Sequence, residues 1–209
     1  MAGFILVALT AGAKDAPAPV FEKILVTGKF WSEGVAIGDF NRDGAQDVCA
    51  GPFWYEGPAF TNRHEYRPAT ASFTVKKDGA EEKVDGYQGA LGKANAYSDD
   101  FMNFVHDFNG DNRPDILVVG LPGTAATWYE NPADGKESWK AHRVFYVVYN
   151  ESPMFDDIDG CGKPELICHT GGYLGYATVD WKDPAKPWTF HRISPKGSLH
   201  KYSHGLGLG

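Results

Sequence analysis

Cysteine is scarce in this chain, with three residues among 209, at positions 49, 161 and 168. An odd number leaves no complete disulfide framework, and no Cys and His residues lie at the spacing of a zinc site. The sequence also lacks the Ser, His and Asp order of a hydrolase triad and the Gly-rich loop that binds phosphate. Because these motifs are absent, most enzyme classes that are recognised by short sequence motifs are excluded.

Positive charge and long apolar runs are also in short supply. The chain has 20 Lys and Arg against 27 Asp and Glu, a formal net charge of −7, so we expect no nucleic-acid partner. The apolar run at 4–9 is too short to span a bilayer, so we expect no membrane span. It precedes Ala11-Gly12-Ala13, which fits a signal-peptidase site, although no basic residue comes before the run. Residues 1–13 are predicted to be a signal-peptide-like segment, and the protein to be secreted, periplasmic or extracellular.

What the chain does have is a high content of apolar and aromatic residues, 43% and 14%, together with 25 Gly and 13 Pro. This composition can bury a substantial core, and it suits many short strands joined by tight turns. The chain is therefore predicted to be folded and rich in β-structure.

A nine-residue segment occurs three times, and each copy leads into apolar, strand-forming residues. Internal repetition of this kind defines the architecture before any single motif does. Oxygen-bearing side chains recur at alternate positions, and position 6 holds a residue that tolerates a left-handed turn. The copies are Asp39–Asp47, Asp107–Asp115 and Asp157–Glu165, with Gly44, Asn112 and Gly162 at position 6.

The chemistry of these loops suits a hard cation. Side-chain oxygens at positions 1, 3, 5 and 9 and a backbone carbonyl at position 7 are ligands that calcium prefers. An EF-hand loop begins alike but needs Glu at position 12 and flanking helices, whereas strand-forming residues follow here. Plain hairpin turns are the alternative, because they also use Asp, Asn and Gly. The predicted calcium ligands are Asp39, Asn41, Asp43, Ala45 and Asp47; Asp107, Asn109, Asp111, Arg113 and Asp115; and Asp157, Asp159, Lys163 and Glu165.

The third loop is predicted to be the weakest of the three. Cys161 offers sulfur at position 5, where calcium prefers oxygen, and Glu165 replaces Asp at position 9. Whether this loop binds calcium stays open at the level of the sequence.

With these loops and the strands that follow them, residues 20–209 resemble the FG-GAP or VCBS-repeat family of integrin-α-like β-propellers. The resemblance implies blades of four strands, in which each calcium loop joins the innermost strand to the second. Second strands are then expected to begin at Asp47, Asp115 and Glu165. Inner strands are expected at 34–38, 102–106, 152–156 and 203–209.

The fold class is accordingly predicted to be all-β, an incomplete β-propeller of three blades plus the first strand of a fourth. Because propellers have about four to eight blades, the missing C-terminal blades of the same protein are an expected partner. Blades are expected near 34–70, 102–145 and 152–194, with an inserted loop or short helix at 76–98.

Aromatic landmarks repeat outside the loops. We predict that their Trp and His residues fill the packing between blades, with stacking on a sugar as the alternative. The matching stretches are Trp54–Pro58 with Trp128–Pro132, the looser Asp180–Pro184, and Trp139 and His142 with Trp188 and His191.

The resemblance places the start of each inner strand on the face opposite the loops, around a central channel. Positions six and seven residues before the first Asp of each loop are therefore expected to converge. Carboxylates, an amide and an imidazole there could bind a polyol or a metal, or move a proton; solvated strand caps are the alternative. The candidates are Glu33, Asp100, Asn150, Glu151 and His204.

Two function classes follow. The prediction is a calcium-binding module that binds carbohydrate or an extracellular protein without catalysis. The alternative is a carbohydrate-active lyase or dehydratase, because the Trp-Tyr-Glu-Asn-Pro and His-Gly-Leu-Gly stretches are similar to the propeller part of aldos-2-ulose dehydratases.

Overall fold

Three antiparallel sheets of four strands each make up most of the protein. The computed structural model describes residues 20–69, 72–77, 80–85, 98–135, 138–197, 199 and 201–207. In each sheet the four strands are neighbours in chain order, so each sheet is a simple meander. The first sheet contains β1 (Ala36–Gly38), β2 (Asp47–Ala50), β3 (Phe53–Tyr55) and β4 (Arg63–Glu65). The prediction of an all-β fold with four-stranded units is confirmed.

The remaining strands follow the same scheme. A separate hairpin, β5 and β6, lies between the first and second sheets in sequence. It overlaps the region 76–98, where we expected an inserted loop or short helix and where residues 76–77 and 80–85 are strands instead. Its strands are β5 (Ser72–Lys77) and β6 (Ala80–Asp85). The second sheet contains β7 (Asp100–His106), β8 (Asp115–Gly120), β9 (Thr124–Glu130) and β10 (Lys140–Val148). The third sheet contains β11 (Met154–Asp156), β12 (Glu165–Thr170), β13 (Tyr173–Thr178) and β14 (Thr189–Arg192).

The second strand of each sheet begins where the sequence predicted, at Asp47, Asp115 and Glu165. In the second and third sheets these strands are apolar on both faces, and residues 115–119 and 165–169 are buried throughout. A strand needs this pattern when both faces of its sheet are covered. The apolar runs that follow the loops therefore indicate central strands of stacked sheets.

The sheets pack face to face through two hydrophobic clusters. At the first junction, between the first and second sheets, Cys49 and Trp54 pack with Ile116, Val118 and Trp139. The second junction, between the second and third sheets, buries the opposite face of the second sheet against the third. Its largest members are Phe108, Trp128, Phe145, Leu166 and Trp188. As predicted, the repeated Trp residues fill the packing between units.

A repeated aromatic and His pair links the third and fourth strands of each sheet. Trp54 pairs with His64 and Trp128 pairs with His142, and in both pairs the rings stack at 4.1 Å and 14°. In the third sheet, Tyr176 takes the place of Trp and stacks on His191 at 4.9 Å. The match proposed for Asp180–Pro184 is thus wrong, because this segment lies in the loop after β13.

The expected inner strands are partly formed. Strands β1 and β11 are three residues long and begin two residues later than expected, whereas β7 begins two residues earlier. Residues 201–207 form no strand, although Ser203 makes an isolated parallel bridge with Asn150. The signal-peptide-like segment 1–13 and residues 86–97 of the expected insertion lie outside the described residues. Within the described ranges, no helix has the length and apolar character needed to cross a bilayer.

Candidate functional site

The three repeated loops have the same internal hydrogen bonds. At the start of each loop, the Asp carboxylate accepts the backbone N–H of positions 5 and 6. For Asp39 the donors are Asp43 and Gly44, both at 3.0 Å, and for Asp107 they are Asp111 at 3.1 Å and Asn112 at 2.8 Å. Asp157 accepts the equivalent bonds at 3.0 and 2.7 Å. Each loop therefore curls around its first carboxylate.

The backbone conformation at position 6 agrees with the prediction. Gly44, Asn112 and Gly162 have φ values of 90°, 64° and 85°, in the left-handed region. Position 4 is left-handed as well, at Arg42, Gly110 and Gly160, which the sequence pattern did not reveal. Two left-handed residues separated by one residue thus recur in all three loops.

Position 9 has a structural role that sequence reasoning missed. The Asp115 carboxylate is fully buried and accepts the N–H of Phe108 at 2.9 Å and that of Asn131 at 2.8 Å. Asp47 makes the same two bonds, with Phe40 at 2.8 Å and Gly57 at 2.9 Å. This carboxylate thus ties the start of the loop to the end of the third strand. Each oxygen keeps a second lone pair, which leaves it able to bind a cation as well.

Burial raises the pKa of these position 9 carboxyl groups. The pKa of Asp115 rises to about 7, because desolvation outweighs the two backbone hydrogen bonds, and neighbouring Asp111 and Asp107 add to the shift. Burial raises the pKa of Asp47 and Glu165 in the same direction. An ionised carboxylate at this position therefore needs positive charge nearby, which a bound cation would supply.

The third loop differs in its chemistry. The thiol of Cys161 donates to the position 7 carbonyl, that of Lys163, at 3.6 Å, and so offers sulfur where the other two loops have a carboxylate. Glu165 accepts one backbone N–H, from Ile158 at 3.2 Å. Among the described residues, the possible metal ligands of Asp157, Asp159 and Cys161 lie within 4.8 Å of one another. This group is mostly exposed and is not by itself a demonstrated metal site.

The five candidates at the strand starts, Glu33, Asp100, Asn150, Glu151 and His204, form a second polar region, the strand-start cluster. His204 Nδ1 lies 3.2 Å from a Glu151 carboxylate oxygen. Burial, and then the charge of Glu151, raise the pKa of Glu33, although the two residues precede strands of different sheets. The backbone N–H of Glu33 donates to the carbonyl of Asp100 at 3.1 Å. Sequence reasoning thus selected residues that come close in the fold.

The remaining two candidates of the cluster are buried. Asp100 is fully buried and accepts a hydrogen bond from Arg67, a partner that no sequence pattern indicated. The Oδ1 of Asn150 accepts the N–H of His169 at 2.8 Å. Its Nδ2, like Oδ1 of Asp100, is buried without a hydrogen-bond partner in the described structure. Such groups are rare in folded proteins, and they favour a role for water or a ligand here.

The starts of neighbouring inner strands are connected in a recurring way. Glu33 donates to the carbonyl of Asp100, and Glu151 donates to the carbonyl of Ser203 at 3.0 Å. Glu33 and Glu151 both lie six residues, and Asp100 seven residues, before the first position of the loop that follows. The backbone of Ser203 thus contacts the start of the third sheet as that of Asp100 contacts the start of the first.

A scan against protein-family models found no match for this chain, and no curated protein is significantly similar to it in sequence. Family membership thus stays a prediction from the loops, and function must be argued from the residues themselves.

Proposed function

We propose that this chain is part of a calcium-binding β-propeller of the FG-GAP or VCBS type, a secreted module that binds carbohydrate or an extracellular protein. The observation that carries the proposal is the recurrence of one loop geometry between the first and second strands of three successive sheets. In all three loops the position 1 carboxylate accepts the backbone N–H groups of positions 5 and 6, a pattern that plain hairpin turns do not require.

The relation between the sheets supports the propeller architecture. Inner strands of a propeller run in the same direction around a central axis, and the bridge between Asn150 and Ser203 is parallel. Sheets stack about 10 Å apart, so the first and third sheets of a straight stack would lie about 20 Å apart. The electrostatic effect of Glu151 on Glu33 instead favours sheets that converge at their strand starts.

Calcium is the cation that the loops suit best. Their available ligands are carboxylate, amide and carbonyl oxygens, and the first two loops contain no soft ligand. The bound ion would neutralise part of the repulsion among carboxylates and would compensate the buried position 9 charge. We assign the sites to the loops at 39–47 and 107–115, with a weaker site at 157–165.

The ligand of the module is placed at the strand-start cluster. Carboxylates of Glu33 and Glu151 and the imidazole of His204 can exchange hydrogen bonds with hydroxyl groups, and the buried amide of Asn150 has a donor to spare. A site with both hydrogen-bond donors and acceptors suits a polyhydroxylated ligand better than an apolar one.

Thermal unfolding in calcium and in EDTA tests the proposal. A ligand that binds only the folded state at 100 times its Kd adds about 2.7 kcal/mol to the free energy of unfolding, so EDTA should lower Tm. Asp43→Ala combined with Asp111→Ala should remove most of the difference. Asp180→Ala combined with Asp183→Ala deletes two exposed carboxylates outside the loops and should leave it unchanged. Superimposable melts of the unaltered protein in calcium and EDTA would disprove the metal assignment.

A catalytic role is the second candidate, and one contact favours it. Glu151 and His204 form a carboxylate and imidazole pair at 3.2 Å beside Glu33, whose pKa is raised. Such a group could abstract a proton next to a carbonyl, as a sugar lyase or dehydratase requires. Loss of turnover on a keto-sugar in Glu151→Gln, with unchanged Tm, would favour this candidate over a binding module.

A further inference from the structure

An open cleft lies at the first junction, away from the strand-start cluster. Its volume is about 390 Å³, within the range of about 300–1,000 Å³ that ligand pockets occupy. Trp54 and Trp139 line it together with Asn131, and Glu56 and Arg113 lie in its wall. The cleft therefore combines an aromatic wall with donors and acceptors of hydrogen bonds.

The second junction contains an equivalent pair of Trp residues, and there both indole N–H groups have an acceptor within the protein. Trp128 corresponds to Trp54, since each stacks on the His of the next strand at 4.1 Å. Trp188 corresponds to Trp139, since each lies three residues before a repeated His. Both indoles of the second junction donate to one oxygen, the carbonyl of Pro184, at 3.2 Å from Trp128 Nε1 and 3.1 Å from Trp188 Nε1.

The first junction lacks this acceptor. Within the described part of the chain, the indole N–H groups of Trp54 and Trp139 donate no hydrogen bond, although each side chain is only 7% exposed. Asn131 is 5% exposed, and its Nδ2 donates to the carbonyls of Phe40 and Pro114, which leaves its Oδ1 as an acceptor at the cleft. Three polar groups of nearly buried residues thus border the cleft with no hydrogen-bond partner among the described residues. Each can bond to a ligand group that takes the place of water.

The second junction indicates which chemical groups a ligand of the cleft should carry. At the second junction, an amide carbonyl satisfies both indoles, so an amide carbonyl is the matching group at the first. The Glu56 carboxylate bonds to Asn62 and His64 and keeps further lone pairs, and Asn131 Oδ1 has no partner among the described residues, so both can accept from hydroxyl groups. Glu56 contributes a negative charge to the wall and Arg113 a positive charge, so these two side chains give no excess of positive charge that would favour an anion.

We propose that the cleft at the first junction binds a neutral N-acetylated hexosamine residue, whose acetamido carbonyl accepts the indole N–H groups of Trp54 and Trp139. The sugar hydroxyl groups donate to Glu56 and to Asn131 Oδ1. This inference deepens the carbohydrate-binding part of the proposed function and rests on it, but it assigns a site separate from the strand-start cluster.

The indole N–H signals of the ¹⁵N-labelled full chain in calcium provide the test. The chain has six Trp residues, and their signals are assigned with Trp→Phe variants. The probes are N-acetylglucosamine and N-acetylgalactosamine, with glucose and galactose as matched sugars that lack the acetamido group. N-acetylprolinamide, a mimic of the Pro184 carbonyl, is the non-sugar probe. We expect the two N-acetylated sugars to shift the signals of Trp54 and Trp139 and to leave those of Trp128 and Trp188 in place.

A pair of Trp variants separates binding from stability. Trp54→Phe breaks no protein hydrogen bond but shortens a nearly buried indole that stacks on His64, so Tm should fall by the packing loss alone while affinity falls about tenfold. Trp128→Phe loses the bond to Pro184, so Tm should fall while affinity is kept.

Several results would overturn the proposal. These are the absence of shifts at Trp54 and Trp139 with both N-acetylated sugars, equal shifts with glucose and galactose, shifts with N-acetylprolinamide alone, or unchanged affinity in Trp54→Phe. A normal response of Tm to EDTA alongside any of these would show that the cleft assignment alone has failed. Loss of the EDTA response would instead count against the proposed function.

Discussion

Replacement of Asp115 by Ala should destabilise the protein even when no calcium is present. The carboxylate holds two backbone donors, Phe108 N–H and Asn131 N–H, and it is fully buried. Ala removes both acceptors and leaves two donors without partners at the junction between loop and third strand. Glu165 is the matched control, because it occupies the same loop position and accepts one donor, Ile158 N–H.

The expected magnitude follows from the number of orphaned donors. Each buried N–H without a partner costs about 1–3 kcal/mol, so Asp115→Ala should cost about 2–6 kcal/mol. Glu165→Ala should cost less than about 1–3 kcal/mol, because Ile158 is exposed and its N–H can bond to water. At pH 8 the carboxyl group of Asp115 is ionised, because its pKa is about 7. Burying that charge without a cation is itself unfavourable, so we expect the lower part of the range, about 2–4 kcal/mol, for Asp115→Ala.

Urea unfolding at pH 8 in EDTA, followed by Trp fluorescence, measures both variants against the unaltered protein. EDTA is included because a cation bound to the loop would add its binding free energy to the measured free energy of unfolding. We expect Asp115→Ala to lose at least about 1 kcal/mol more than Glu165→Ala. An equal or smaller loss would refute the reasoning, since the two backbone bonds would then not carry the effect.

Further predictions concern the third loop, a buried His and a close contact. Cys161→Asp should strengthen calcium binding at 157–165, because it supplies oxygen at position 5; isothermal titration should then show an additional or tighter site. Burial lowers the pKa of His169 below 6.5, so the unfolded state takes up the proton first as pH falls. Stability should decline below about pH 6.5, and a flatter pH profile of the unfolding free energy is expected for His169→Gln. Gly175→Ala should cost about 1–3 kcal/mol in urea unfolding, because the new methyl group would meet the His191 carbonyl; Gly197→Ala, in open space, is the control.

Local chemistry made much of the loops predictable from the sequence. Asp and Asn at alternate positions stabilise tight turns, and Gly at position 6 accepts the left-handed conformation, so short-range sterics and hydrogen bonds decide the loop shape. The apolar residues after each loop identified the second strands, and their first residues, Asp47, Asp115 and Glu165, agree with the structure. Both the loop and the strand start depend on neighbours within a few positions.

The strand-start cluster was predictable for a different reason. Counting back from each loop uses only the repeat, and equivalent positions of equivalent units come together when units pack side by side. Glu33, Glu151 and His204 were found in this way. Arg67 was not, because it lies in no repeated motif and reaches Asp100 across 33 positions of the chain.

Sequence by itself determined the loops, the strand starts and the repeat register, because each rests on interactions within one unit. Tertiary structure alone decided how each junction is completed. Trp54 and Trp128 both begin a Trp-Tyr-Glu stretch and stack on equivalent His residues, yet the carbonyl of Pro184 closes one junction and a cleft remains at the other. The physical reason is that an acceptor 56 positions away reaches the indole of Trp128 only after the sheets have packed.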